Sequence, residues 1–142
     1  MKLSTALRID ENSRVAFVGS GGKTTAITQV ASELKSPCLI STTTHLGVWQ
    51  KNIADTHIMI EKASDWKKLW NAQGRIVLVT GEVEGDRLKG IDLPEITNCL
   101  DYCNEKHIPL LIECDGSRQL PLKFPKNDEP LVPELVDTVV VC

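Results

Sequence analysis

The sequence predicts an α/β protein, a three-layer sandwich on a mostly parallel sheet. Three observations lead there. Short apolar runs alternate with segments of helical periodicity along the 142 residues. The runs are apolar throughout rather than at every second position, which marks strands buried on both faces. One of them runs straight into a glycine cluster followed by a helix pattern, the opening unit of a doubly wound sheet.

Taken in order, Val15 to Val18 reads as the first strand, and Thr24 to Leu34 as a helix with Ile27, Val30, Ala31 and Leu34 on one face. Pro37 ends that helix, and Cys38 to Ser41 is a second strand. His57 to Ile60 is a weaker third. Ser64 is expected to cap a short helix with Trp66, Leu69 and Trp70 on one face. Ile76 to Thr80 is the next strand, and the polar, glycine-bounded stretch Gly81 to Gly90 is a loop or hairpin. Pro94 suits the first turn of a helix reaching about His107. Pro109 to Glu113 and Thr138 to Cys142 complete the strands. An apolar strand in that last position suits either a fragment or an edge covered by a second subunit in a homodimer. With no repeat, linker or low-complexity tract, residues 1–142 read as one domain.

Composition narrows the partners. There are 16 basic and 19 acidic residues, a net charge of -3, so no basic block argues for nucleic acid. No apolar run is long enough for a membrane span. Five cysteines without a CxxC pair, behind an N-terminus with no apolar signal core, predict reduced thiols and a cytoplasmic location.

The chemistry concentrates first in Gly19, Ser20, Gly21, Gly22, Lys23, Thr24 and Thr25. Glycines let the backbone adopt positive φ and turn several N–H groups toward phosphate oxygens, and the following helix N-terminus adds its partial positive charge. Lys23 would bridge the β- and γ-phosphates of ATP or GTP, and the Thr24 hydroxyl would ligate Mg²⁺. The residue five before Gly22 is Phe17, so this is a compact version of GxxxxGK[ST] in the strand–turn–helix context of a P-loop NTPase. Lys23 is expected to be exposed without ligand. No guanine-reading signature is visible, which tilts the reading toward ATP.

Two further strand ends carry polar groups where parallel sheets bind ligands. Thr42, Thr43 and Thr44 offer hydroxyls to metal, water or phosphate, although threonine also suits strand ends. His45 beside them suits proton transfer or plain solvent exposure. Glu113 and Asp115 alternate at the end of an apolar strand and so share a face. Asp115 is expected to hold Mg²⁺ with Thr24, leaving Glu113 as an outer ligand or water-activating base. The proline-stiffened segment that follows carries Arg118, Lys123 and Glu129, with Lys123 and Arg118 suited to a phosphate or anionic substrate. Cys99, Cys103 and His107 look like a metal array, but positions 99 and 107 lie about 12 Å apart along a helix, too far for one ion. They read better as part of a core stripe with Ile96 and Leu100.

These motifs together resemble the YqeC-like family. The residues that match are VGSGGKTT, the threonines 42–44, and IECDGSRQLPLKFPKNDEPLVP from Ile112 to Pro133. Cys114 stands where the family usually has alanine. The resemblance implies a nucleotide-using accessory protein for selenium-dependent molybdenum hydroxylases, with a hydroxylase or a cofactor-synthesis protein as partner. It also implies that the chain lacks a C-terminal extension its relatives carry. The compact loop alone is similar to that of Mur-type ligases, which leaves a ligase or small-molecule kinase as an alternative to an NTP-hydrolysing maturation factor, and a non-hydrolysing regulatory module as a third.

Overall fold

A computed structural model describes residues 1–114 and 132–142. After a short helix α1 (Leu3–Ala6), strand β1 (Arg14–Val18) leads into helix α2 (Lys23–Glu33) and strand β2 (Cys38–Thr42). A two-residue strand β3 (Leu46–Gly47) and a 3-10 helix (Val48–Ile53) precede β4 (Thr56–Met59). Helix α3 (Trp66–Trp70), β5 (Ile76–Thr80) and the hairpin strands β6 (Val83–Glu84) and β7 (Arg87–Leu88) follow. Helix α4 (Ile96–Lys106), β8 (Leu110–Glu113) and β9 (Thr138–Val141) complete the chain.

The main sheet has the order β4-β5-β2-β8-β1-β9, and every pair in it is parallel. Strand alternation divides the core in two. Val15, Phe17, Ile40 and Leu111 face α2, whose Ile27, Val30, Ala31 and Leu34 form the stripe expected from spacing. Ala16, Val18, Leu39 and Ile112 face the other side, against Leu69 of α3 and Ile96, Cys99, Tyr102 and Cys103 of α4. Burying each large side chain of this kind stabilises the fold by about 1.5–3 kcal/mol, and the two-sided burial is why β1, β2 and β8 are apolar without alternation. The α/β three-layer architecture read from the sequence is therefore the observed one.

Some details differ. Ser64 is not a cap: it lies within a 3-10 turn (Ala63–Asp65) that runs directly into α3, and the Asp65 carboxylate accepts the N–H groups of Glu61 and Lys62. The 81–90 segment is a hairpin whose β7 also pairs with β3, forming a small antiparallel sheet, β3-β7-β6. Pro94 sits in a 3-10 turn (Leu93–Glu95) ahead of α4. His107 closes α4 in the left-handed conformation, φ 53°. Among the described residues, no helix is long and apolar enough to cross a membrane.

Candidate phosphate and metal site

The carboxyl ends of three adjacent strands, β2, β8 and β1, meet at one place. From β1 the chain passes through Gly19 at φ 120° and Gly22 at φ 81°, both in the region that favours glycine. Gly22 occupies the N-cap of α2 with no side-chain cap bond, so the first amides of the helix are left to whatever lies before it. Gly19 is required a second time by space: a Cβ there would lie 2.1 Å from the Cys142 carbonyl oxygen. Cys142 N–H in turn donates to Val18 O at 2.8 Å. The last strand thus braces the start of the loop. Burial raises the Cys142 thiol, with Lys23 lowering it and Glu113 raising it.

Lys23 departs from expectation. It is 3% exposed, with Nζ donating to Gly19 O at 2.8 Å. The side chain folds back over the loop instead of standing in solvent: its long stem can be buried while the ammonium keeps a hydrogen-bond partner. Ser20 is half-buried, and Gly21 and Thr25 are exposed.

Thr24 is the centre of the polar network. Its hydroxyl donates to Glu113 Oε2 at 2.8 Å and accepts a bond from Gln50 Nε2 at 2.8 Å. Glu113 reaches it because alternation along β8 sends Leu111 and Glu113 to the α2 face, and Ile112 and Cys114 to the other. Glu113 is only 6% exposed. Asp115, Arg118, Lys123 and Glu129, expected to join this site, lie outside the described residues. The carboxylate seen beside Thr24 is Glu113.

The threonines at the end of β2 form a tight turn on the end of β8. Thr43 N–H donates to Glu113 O at 3.0 Å, and Thr44 N–H donates to Thr42 Oγ1 at 3.1 Å. The Thr42 hydroxyl, fully buried, has Thr44 O at 3.0 Å and Glu113 O at 3.1 Å as acceptors, so its bonds are internal. Thr43 and Thr44 are half-buried beside the site. The turn is closed from behind by Gly90, where a Cβ would meet Thr43 C at 2.5 Å, and by Ile91 N–H donating to Thr42 O. His45 faces outward, with Nε2 3.6 Å from Glu84 Oε2 and both side chains exposed.

Gln50 was not legible as a site residue. It sits on the 3-10 helix, 26 positions from Thr24, and no motif surrounds it. Trp49 beside it is half exposed and lies against Gly47, where a Cβ would be 2.5 Å from the indole. Cys99 and Cys103 are core residues, as expected, and burial pushes the Cys99 thiol up to about 12, but His107, read into the same core stripe, is exposed at the end of α4. Among the described residues, no group of three or more His, Cys, Asp or Glu side chains is placed to hold a metal ion.

Comparison with known proteins agrees with the resemblance in the motifs. A curated relative from Escherichia coli (strain K12), "Uncharacterized protein YqeC", is 31% identical over 133 residues. The match covers 84% of this chain and 47% of that protein, so the chain spans about half the length of the curated relative. No solved structure matches. The family model described as YqeC protein matches residues 15–142, from β1 through the last strand, and the chain belongs to that family.

Proposed function

We propose that this chain binds a nucleoside triphosphate, with Mg²⁺, at the loop from Gly19 to Thr25 and turns it over, as an accessory or maturation factor for a selenium-dependent molybdenum hydroxylase or its cofactor. The observation that carries the nucleotide reading is the 2.8 Å bond between Thr24 Oγ1 and Glu113 Oε2, at the head of a helix entered through two positive-φ glycines. A hydroxyl at the first turn of such a helix, held by a carboxylate from the neighbouring strand, is the oxygen pair a hard cation needs beside phosphates. The pathway assignment rests on the family resemblance in the motifs.

The residues fit the group. Thr24 would ligate Mg²⁺ directly, and Glu113 would hold the Thr24 hydroxyl proton and a metal-bound water. Bound Mg²⁺ would neutralise charge on the β- and γ-phosphates. Gly21 and Gly22 carry no side chain within the loop, and a Cβ at either would meet nothing within 4 Å, so backbone amides can approach an anion closely. Lys23 would leave Gly19 O to contact the terminal phosphates, exchanging a bond to a neutral carbonyl for one to an anionic oxygen. Asp115, Arg118 and Lys123 remain proposed contributors from the segment after β8.

A phosphate-release assay with ATP and with GTP, with and without Mg²⁺, tests this. Mg²⁺-dependent release that is slow alone and faster with a hydroxylase partner supports the proposal. Release only with a small-molecule acceptor would point to a kinase or ligase. Tight binding without release would point to a regulatory module. Calorimetry showing no binding of either nucleotide would remove the proposal.

A further inference from the structure

The same site holds a side chain whose polarity is fixed by the backbone. Gly47 N–H donates to Gln50 Oε1 at 2.6 Å. A backbone N–H can only donate, so the atom facing it must be the amide oxygen, and the opposite atom of the Gln50 amide must be nitrogen. That nitrogen, Nε2, lies 2.8 Å from Thr24 Oγ1. Thr24 Oγ1 therefore accepts from Gln50, and its own single proton is directed to Glu113 Oε2 at 2.8 Å. The chain runs one way, from Gly47 through Gln50 and Thr24 to Glu113. A hydroxyl oxygen has two lone pairs. One is taken by Gln50, and one is left.

We infer that Gln50 is the positioning residue for metal at this site: it locks the Thr24 hydroxyl rotor so that its proton faces Glu113 and its remaining lone pair is available to a divalent cation. The inference rests on the nucleotide and Mg²⁺ reading above and adds to it the residue that sets the hydroxyl's orientation. It also gives the 3-10 helix Val48–Ile53 a function. That helix is anchored to the small sheet, where Val48 N–H donates to Asp86 O at 3.0 Å and β3 pairs with β7. The lock is thus held by an element outside the main sheet, and Trp49, adjacent to Gln50, lies on the same element.

The test is the Mg²⁺ dependence of nucleotide binding in the full chain, measured by titrating ATP at graded Mg²⁺ and in EDTA, then repeating with GTP. In Gln50→Leu the Thr24 hydroxyl is held by Glu113 alone, and the Mg²⁺ concentration needed for half-maximal tightening should rise about fivefold, the equivalent of one neutral hydrogen bond. Affinity in EDTA should stay within about twofold, because Gln50 contacts no phosphate-facing amide. Gln50→Glu keeps the size and the Gly47 bond but presents an acceptor and a charge to Thr24. It should lower the Mg²⁺ midpoint while weakening binding in EDTA, since an added carboxylate attracts cation and repels phosphate. A residue that only supported the fold would move both variants in the same direction, in step with their thermal stability. A Mg²⁺ midpoint in Gln50→Leu within twofold of wild type overturns the role of Gln50. So does a rise in the Gln50→Leu midpoint that is matched in size by a loss of affinity in EDTA. If wild type binds neither nucleotide, the phosphate-site reading falls and the role of Gln50 falls with it; wild-type binding with unmoved variants removes Gln50 alone.

Discussion

Replacing Thr24 with valine removes one oxygen and preserves the shape of the side chain, so no cavity opens. Two hydrogen bonds disappear. The first is the Thr24 hydroxyl's bond to the buried Glu113 carboxylate, at 2.8 Å and partly shielded from water. Bonds to charged groups contribute about 1.5–3 kcal/mol. The second is the neutral bond from Gln50, also at 2.8 Å, worth about 1 kcal/mol. Together they predict that Thr24→Val destabilises the ligand-free protein by roughly 2–4 kcal/mol. In a domain of this size that lowers the melting temperature by on the order of 10 °C. Urea denaturation and thermal melting without nucleotide read both quantities. If Thr24→Val were as stable as wild type to within about 0.5 kcal/mol, the ordinary range for inert surface changes, the hydroxyl would not be engaged with Glu113 in solution. There would then be no preformed corner for a metal.

Other perturbations have equally definite outcomes. Lys23→Met keeps the buried stem and removes the charge. Ligand-free stability should hold or rise, while ATP affinity by calorimetry falls by about 1.5–3 kcal/mol; a parallel loss of stability would show the ammonium to be structural. Gly19→Ala places a methyl group against the Cys142 carbonyl at φ 120° and should cost roughly 2–5 kcal/mol, read by urea midpoint. Burial, then Lys51, holds His57 below its usual 6.5. The stability due to its neutral form is present above that unfolded value and is lost as pH falls through the lower folded value. Denaturation midpoints should therefore drop in wild type as pH falls below 6.5, and His57→Gln should remove that part of the slope.

The sheet was legible because its strands are buried on both faces: a run such as Val15 to Val18 can only be a central strand or part of a buried helix, and Gly19 immediately after it decides between them. The loop was legible because positive φ and helix entry demand particular residues at fixed spacing. The small sheet β3-β7-β6 was not. Leu46–Gly47 and Arg87–Leu88 are each two residues long, too short for any periodicity, and only tertiary pairing makes them strands. Gln50 was missed for a related reason. A residue that acts by orienting another side chain carries no composition signal of its own. Lys23 was placed correctly in sequence but wrongly in solvent, because its four-carbon stem can be buried while its head bonds a carbonyl one turn away.

The position of β1 bears on how the molecule is assembled. It is the first strand in the chain, yet both its neighbours, β8 and β9, come from the far end of the described sequence. Arg14 N–H bonds Asp137 Oδ2 across 123 positions. Contacts this distant in sequence close late and slow the search for the native state. During synthesis, an apolar strand and the loop behind it must wait, unpaired, while the residues from Val18 to Leu110 emerge before β8 can reach them. The bracing of Gly19 by Cys142 comes later still. The loop's resting shape is therefore among the last features to be set, and slow or faulty arrival of β9 would show as poor ligand binding in a protein whose β2–β5 half is already folded.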